Sequence, residues 1–355
     1  MARGTLRSTW VEVADSSAAI ETYFERGWTD GLPVVPPTEE RIWETLDAMG
    51  KQPEDILGEI PARARTITAE KLVINAVLAG CLPVYAPVLL AVTEALCDPA
   101  FSAHGPTAST SGMGVLIIVN GPIVAQIGLN AGENLFGPGW RANATIGRAL
   151  RLLLRNVCGS IPGVMDRSCF GHPGKLSYCI AEDEAHNPWT PLHVERGIPP
   201  EESAVTLFAG ESPHQVANQT TSDPEAILSS IADVMVAGGR LSLSGQQFVV
   251  IIAGEHRQHL DKGGWSKKDI RTWLQAHAVR SEEGLARAGR LPSPETPAQA
   301  ARLHHAVADP EDILVVAAGG DTGGYSAVIP GWAGKFHSQA VTKMIPACPT
   351  CRVDA

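Results

Sequence analysis

The stretch SCFGHPGKLSYC, residues 168 to 179, sets a thiol, an imidazole and an ammonium three residues apart: Cys169, His172 and Lys175. Gly171, Pro173 and Gly174 rule out a regular helix, so these side chains stand on a shaped loop. A thiol beside an imidazole and an ammonium has its pKa lowered and becomes a usable thiolate. Cys169 is therefore a candidate nucleophile, His172 a proton carrier and Lys175 a holder of negative charge. Cys179, in the strand expected to follow, is a second candidate nucleophile. The bland alternative is a tight turn in which His172 satisfies a backbone carbonyl and Cys169 is merely packed.

Acid–base groups crowd the segment that comes next, AEDEAHNPWTPLHVERG (181–197). Pro188 and Pro191 should hold it extended, which would put His193 and Glu195 on one side and Arg196 on the other. Histidine with a carboxylate suits general acid–base work or a divalent metal. Glu182 or Glu195 would orient the histidines, and Arg196 would hold a substrate anion. A metal-dependent enzyme using His172, His193 and a neighbouring carboxylate is one rival reading. Neither HExxH nor a paired CxxC is present, so no metal ligand is assigned and the cofactor stays unknown.

Further binding groups are expected around these. IGLNAGENLFGPGWRANATIG feeds a helix capped near Asn143, and free N–H groups at a helix start suit a carboxylate or phosphate. Asn134 in that loop, with Ser109 and Ser111 in STSG, joins it as a substrate-binding candidate. Arg148, Arg151 and Arg155 share one helical face, as a solvated stripe or an anion site. In ILVVAAGGDTGGYSAVIPGW, Asp321, Thr322 and Ser326 should stand beyond the end of a strand, where a glycine-rich turn can form an anion nest. Cys81, Cys97 and Cys158 read as packed residues at helix ends, and Cys348–Cys351 as an incidental or accessory CxxC.

These groups must be positioned by helices and strands that alternate along the chain. Helices are expected from Glu39 with Thr38 as cap, from Thr68 to Gly80, and from Ala86. GVLIIVNG (114–121) is a continuous apolar run typical of a strand buried on both faces. STSGMGVLIIVNG (109–121) aligns without a gap on SLSGQQFVVIIAG (242–254). Each copy has a proline-led helix before it, then a glycine-rich loop, a Gly-Trp pair, another helix and a further strand after it. This repetition predicts an α/β protein of two related halves with mainly parallel strands and a cleft between them. The expected units are an N-terminal wrapping arm (1–60), a first half (61–200) and a second half (201–355).

Composition bounds the class. The chain of 355 residues is 44% hydrophobic and 19% charged, with 35 glycines and 26 prolines, which fits a globular protein with many tight connections. A net charge of −10 leaves no basic excess for phosphates, so no nucleic-acid or acidic-membrane partner is expected. The start, MARGTLRSTWVEVADSS, lacks the apolar core of a signal peptide. The apolar run from Leu72 to Leu96 is broken by Gly80, Cys81, Pro83 and Pro87, short of the ~20 residues of a membrane span. A cytoplasmic location follows as the expectation, with the seven cysteines as reduced thiols.

GWTDGLPVVPPTEER, NATIGRA, GHPGK and PLHVERG resemble segments of a bacterial family that carries no named activity, and this likeness covers most of the chain. From ILVVAAGGDTGGYSAV onwards the chain also loosely resembles the UGSC-motif domain, named for Sec/Cys-Gly-Ser-Cys and seen in some bacterial selenoproteins. At that motif's position this chain reads Thr322-Gly323-Gly324-Tyr325, without a thiol. The resemblance implies that the motif's redox chemistry is lost here or has moved to another cysteine. Taken together, the residues predict an enzyme acting on a small anionic metabolite by acid–base and cysteine-nucleophile chemistry, of lyase, hydrolase or sulfur-transfer type. A non-catalytic binding or assembly protein is the second rival, and the duplicated sheet leaves a homodimer open.

Overall fold

The apolar runs become strands buried on both faces because each sheet has helices on one side and the other sheet on its second side. The computed structural model describes residues 4–238, 246–332 and 337–348. Its strands, in chain order, are β1 (Ile56–Ile60), β2 (Arg65–Thr68), β3 (Gly114–Asn120), β4 (Cys179–Ala181), β5 (Ala204–Gly210) and β6 (His214–Ala217). They continue with β7 (Phe248–Ile252), β8 (Val279–Ser281), β9 (Leu303–His305), β10 (Ile313–Ala317), β11 (Tyr325–Pro330) and β12 (Val341–Met344). One four-stranded sheet has the order β12-β5-β3-β4 and the other β10-β7-β11-β6, while β1-β2 and β8-β9 are small ribbons.

Side-chain alternation divides the core into layers. Ile117 and Val119 of β3 face the helices Ala69–Ala79, Ala86–Cys97 and Arg141–Asn156, while Leu116 and Ile118 face the second sheet. In the second sheet, Val249, Ile251, Leu314 and Val316 point to the first, while Phe248, Val250, Ile252, Ile313 and Val315 meet Pro224–Gly238 and Lys267–His277. The result is a helix–sheet–sheet–helix sandwich. Burying a side chain of this size contributes about 1.5–3 kcal/mol, so the inter-sheet layer matters on the scale of a whole domain's net stability, about 5–15 kcal/mol.

Local signals behave as their chemistry predicts. Thr38 and Thr68 cap their helices by accepting from the N–H of Arg41 and Lys71, and Gly50 and Gly80 end them in the left-handed conformation. The helix at Glu39–Met49 buries Ile42, Trp43, Leu46 and Met49 in the first helical layer. That part of the expected arm is therefore core.

Two expectations need correction. Strands are not mainly parallel: each large sheet has one parallel pair, β3/β4 or β7/β10, and two antiparallel pairs. Continuous apolarity reports burial on both faces, and here a second sheet supplies the cover that crossover helices would have given. A boundary at residue 200 does not separate the sheets either, because β5 and β12 both complete the first one. Ser242, Ser244 and Gly245 of the aligned repeat lie outside the described residues. No helix among the described residues is long and apolar enough to cross a membrane.

Candidate active site

The GHPGK loop lies against the start of β3, and the glycines of STSGMG make room for it. A Cβ on Gly112 would press on the backbone of Gly171 at 3.1 Å, and one on Gly114 would meet His172 Nε2 at 2.9 Å. His172 accepts from the Gly174 N–H through Nδ1 at 3.1 Å and sets its ring edge-on to Tyr178, at 5.4 Å between centroids. Burial lowers the His172 pKa, with the Gly210 backbone pulling the other way. A neutral imidazole wedged at a strand start positions the loop.

Beside it, four polar side chains converge. Lys175 Nζ lies 2.7 Å from Asp166 Oδ2 and donates to Ser168 Oγ at 2.7 Å. Ser168 Oγ in turn donates to Asp166 Oδ1 at 2.7 Å, with the Ser111 carbonyl at 3.1 Å as its alternative acceptor. Arg151, from the helix Arg141–Asn156, reaches Asp166 Oδ2 at 3.3 Å. Burial pushes Asp166 up, but the hydrogen bonds from Lys175 and Ser168 outweigh it and hold the carboxyl below its ordinary range. Burial lowers Lys175, Asp166 opposes this, and the Arg151 charge adds to the lowering. Arg151, Asp166 and Lys175 line a cavity of about 20 Å3 whose walls include Met113, Val115, Leu150 and Leu154. That space holds about one water molecule.

A second polar centre occupies the other end of β3. Glu182 is buried, and five donors saturate it: Asn187 Nδ2, Lys267 Nζ and the Ala317 N–H on Oε1, Asn120 Nδ2 and the Leu192 N–H on Oε2. Asn120 ends β3 and Ala317 ends β10, so this carboxylate welds the two sheets where their parallel strands terminate. Lys267 also reaches Glu195 at 3.3 Å, and Arg271 meets the same Glu195 oxygen at 2.7 Å. Arg257 pairs with Asp183 at 3.0 Å and lies 3.6 Å from Asp321. Glu182, Lys267, Glu195 and Arg271 thus satisfy one another, while Arg257 keeps Nη1 buried without a partner among the described residues.

The two centres stand roughly 20 Å apart, the length of a seven-residue strand at about 3.3 Å per residue. That separation corrects the reading of a single cleft. His172 and His193 cannot share a proton or a metal ion. Among the described residues no group of three or more His, Cys, Asp or Glu side chains is arranged to hold a metal. His193 and Glu195 also miss each other. Residues Leu192–Glu195 form a helical turn where an extended segment was expected, and it aims His193 at Glu184, 3.6 Å away, and Glu195 at Lys267 and Arg271. Pro191 stands just before that turn, at φ −57° and ψ 151°, so its own backbone is extended while the turn begins after it.

The remaining candidates have structural partners. Cys169 is exposed, with its N–H on the Thr110 carbonyl, while Lys175 turns to Asp166 and Ser168. Cys179 is buried and its thiol is pushed far up by desolvation, with Cys81 adding to the effect, so it is no nucleophile. Arg196 donates to the Ala340 carbonyl at 2.7 Å and anchors the approach to β12. Asn143 lies in the first turn of its helix, clamping Asn130 and the Cys179 carbonyl; Trp140 is the cap residue. Asn134 adopts φ 55° and donates to the Pro138 carbonyl, which shapes its loop. Ser109 accepts from the Ser111 N–H. Asp321 and Thr322 are exposed, and the glycine nest beside them is filled by Glu255, which accepts from Gly323 and Gly324 at 2.7 and 2.9 Å. Ser326 is buried against His256 Nδ1 at 2.8 Å. Arg148 clasps Asp30 at 2.8 Å through both carboxylate oxygens. Cys348 is disulfide-bonded, so the cysteines are not all reduced thiols; Cys351 lies outside the described residues.

Sequence reasoning passed over Asp166, Ser168, Asn120 and Lys267. The first two stood in view, in MDRSC just before the cysteine, and the more reactive-looking thiol drew the attention. Nothing local marks Lys267, whose partner Glu182 is 85 residues away. No family model matches the chain, and no curated protein matches it.

Proposed function

We propose that the protein is an enzyme acting on a small anionic substrate at the Arg151–Asp166–Ser168–Lys175 centre, with Ser168 as nucleophile in acyl-transfer or hydrolytic chemistry. The observation that carries this reading is the 2.7 Å contact between Ser168 Oγ and Lys175 Nζ, with a third group, Asp166, orienting the lysine. In its neutral form Lys175 takes the Ser168 proton as Oγ bonds to the acyl carbon. It then returns that proton to the leaving group as the acyl bond breaks, and water repeats the sequence to free Ser168. Arg151, which reaches Asp166 through Nη2, holds the substrate's negative charge.

A small fluorophosphonate tests this. Intact-mass and peptide analysis should show one adduct, on Ser168, that is lost in Ser168→Ala and Lys175→Arg and kept in Cys169→Ser. No adduct on the wild-type protein, or one that persists in Ser168→Ala, overturns the reading.

We also read the two sheets as copies of one unit. Each places a parallel pair beside an antiparallel strand and then an antiparallel edge strand: β4-β3-β5-β12 and β10-β7-β11-β6. The edge strand comes first along the chain in one copy and last in the other.

A further inference from the structure

A larger cavity, of about 440 Å3, opens where β3 ends, among Pro122, Ile123 and Ile127, the start of the helix Ala86–Cys97, and the run 345–348 that follows β12. Its volume lies within the range of about 300–1,000 Å3 that small-molecule sites occupy. It lies outside the C-terminal end of a parallel strand, where ligands of α/β sheets gather.

The lining combines an apolar wall with charge of one sign. Val84, Pro87, Pro122, Ile123, Ile127 and Ile345 supply the wall, Glu201 and Glu202 are exposed acidic residues at its edge, and among the described residues no lysine, arginine or histidine lines the space. The backbone fixes that edge in place. Gly121 has φ +88°, and any Cβ there would collide with the Glu202 carbonyl and with Ser203. Ser203 Oγ accepts from the Ile123 N–H at 3.0 Å, which ties the acidic edge to the apolar wall.

We infer that this cavity is a second binding site, separate from the Ser168 centre, for a small organic cation: an ammonium or amidinium group on an apolar body. The carboxylates take the charged head, and the proline and isoleucine wall takes the body. An anion is refused by the same two carboxylates.

Benzylammonium, with benzyl alcohol and benzoate as its neutral and anionic counterparts, tests the site by titration of the full chain, followed by calorimetry and ligand-observed NMR. Benzylammonium should bind with Kd in the millimolar range or tighter, at least tenfold better than either counterpart. The Glu201→Gln/Glu202→Gln variant should weaken it at least tenfold, and Gln126→Trp, which fills the opening from an exposed position, should abolish it. Circular dichroism and Ser168 labelling should be unchanged in both. No binding to the wild-type chain, equal binding of benzyl alcohol, or full binding in either variant overturns the inference.

Discussion

At the scale of single residues, the candidate chemistry turns on which groups are free and which are committed. Lys175 is held below its ordinary value of 10.5 by burial and by Arg151, against the pull of Asp166. If Lys175 must lose its proton to activate Ser168, the rate of Ser168 labelling rises with pH, with a midpoint below 10.5. Asp166→Asn removes the group that raises Lys175 and should move that midpoint lower still. A rate that does not change with pH, or an unchanged profile in Lys175→Arg, would remove the lysine from the chemistry. Burial divides the thiols, and of the two candidate nucleophiles it removes Cys179. Burial raises Cys81 and Cys158 to about 12, Cys179 higher still, while Cys169 is exposed. Iodoacetamide at neutral pH should therefore modify Cys169 in the native protein and reach the other three only after unfolding, as read by peptide mass.

Elements decide whether those residues meet. The loop carrying Asp166 is tied to the helix Arg141–Asn156 by Arg151 and to the GHPGK turn by Lys175. Because the folded Asp166 carboxyl lies below 3.8, its contribution is present in full above that pH. The contribution is lost as pH falls further, through the folded value. Acid should release this loop, and Asp166→Asn should flatten that part of the stability–pH curve while lowering stability at pH 7; denaturant titrations at several pH values measure both. Gly114→Ala tests the seat of the loop from below. Its methyl would meet His172 at 2.9 Å, and overpacking of this kind costs about 1–3 kcal/mol and should move Lys175 away from Ser168. On the other side of the molecule, Glu182→Ala removes the acceptor of five donors, leaves Lys267 with Glu195 alone, and should cost about 3–5 kcal/mol without touching the Ser168 centre.

The whole molecule is expected to behave as one unit because the two sheets bury one core between them and the first sheet draws its strands from both parts of the chain. β12 comes from the far end of the chain to close the first sheet, and β5 lies beyond the boundary that the repeat suggested. A fragment of residues 1–200 should therefore fail to fold, and truncation before Val341 should destabilise the full chain. Thermal unfolding followed by near- and far-ultraviolet dichroism should show coincident transitions. Two separated transitions, or a folded 1–200 fragment, would contradict that cooperativity.

Much of the local structure was legible in the sequence, since it depends on neighbours in the chain. Thr38 and Thr68 as caps, Gly80 as a helix end and the buried run at 114–120 all follow from hydrogen bonds and periodicities spanning a few residues. The shaped loop at GHPGK was legible for the same reason. Strand direction, the closing of the first sheet by β12 and the sheet-on-sheet packing were not, because a continuous apolar run says only that both faces are covered. The fate of each reactive group was hidden too. Whether Lys175 serves Cys169 or Ser168, and whether Glu182 is free or carries five donors, depends on partners that folding brings in from as far as 135 residues away. Residue type and spacing determine what chemistry a side chain is able to do. Burial and partner geometry, which exist only in the folded chain, decide whether it is free to do it.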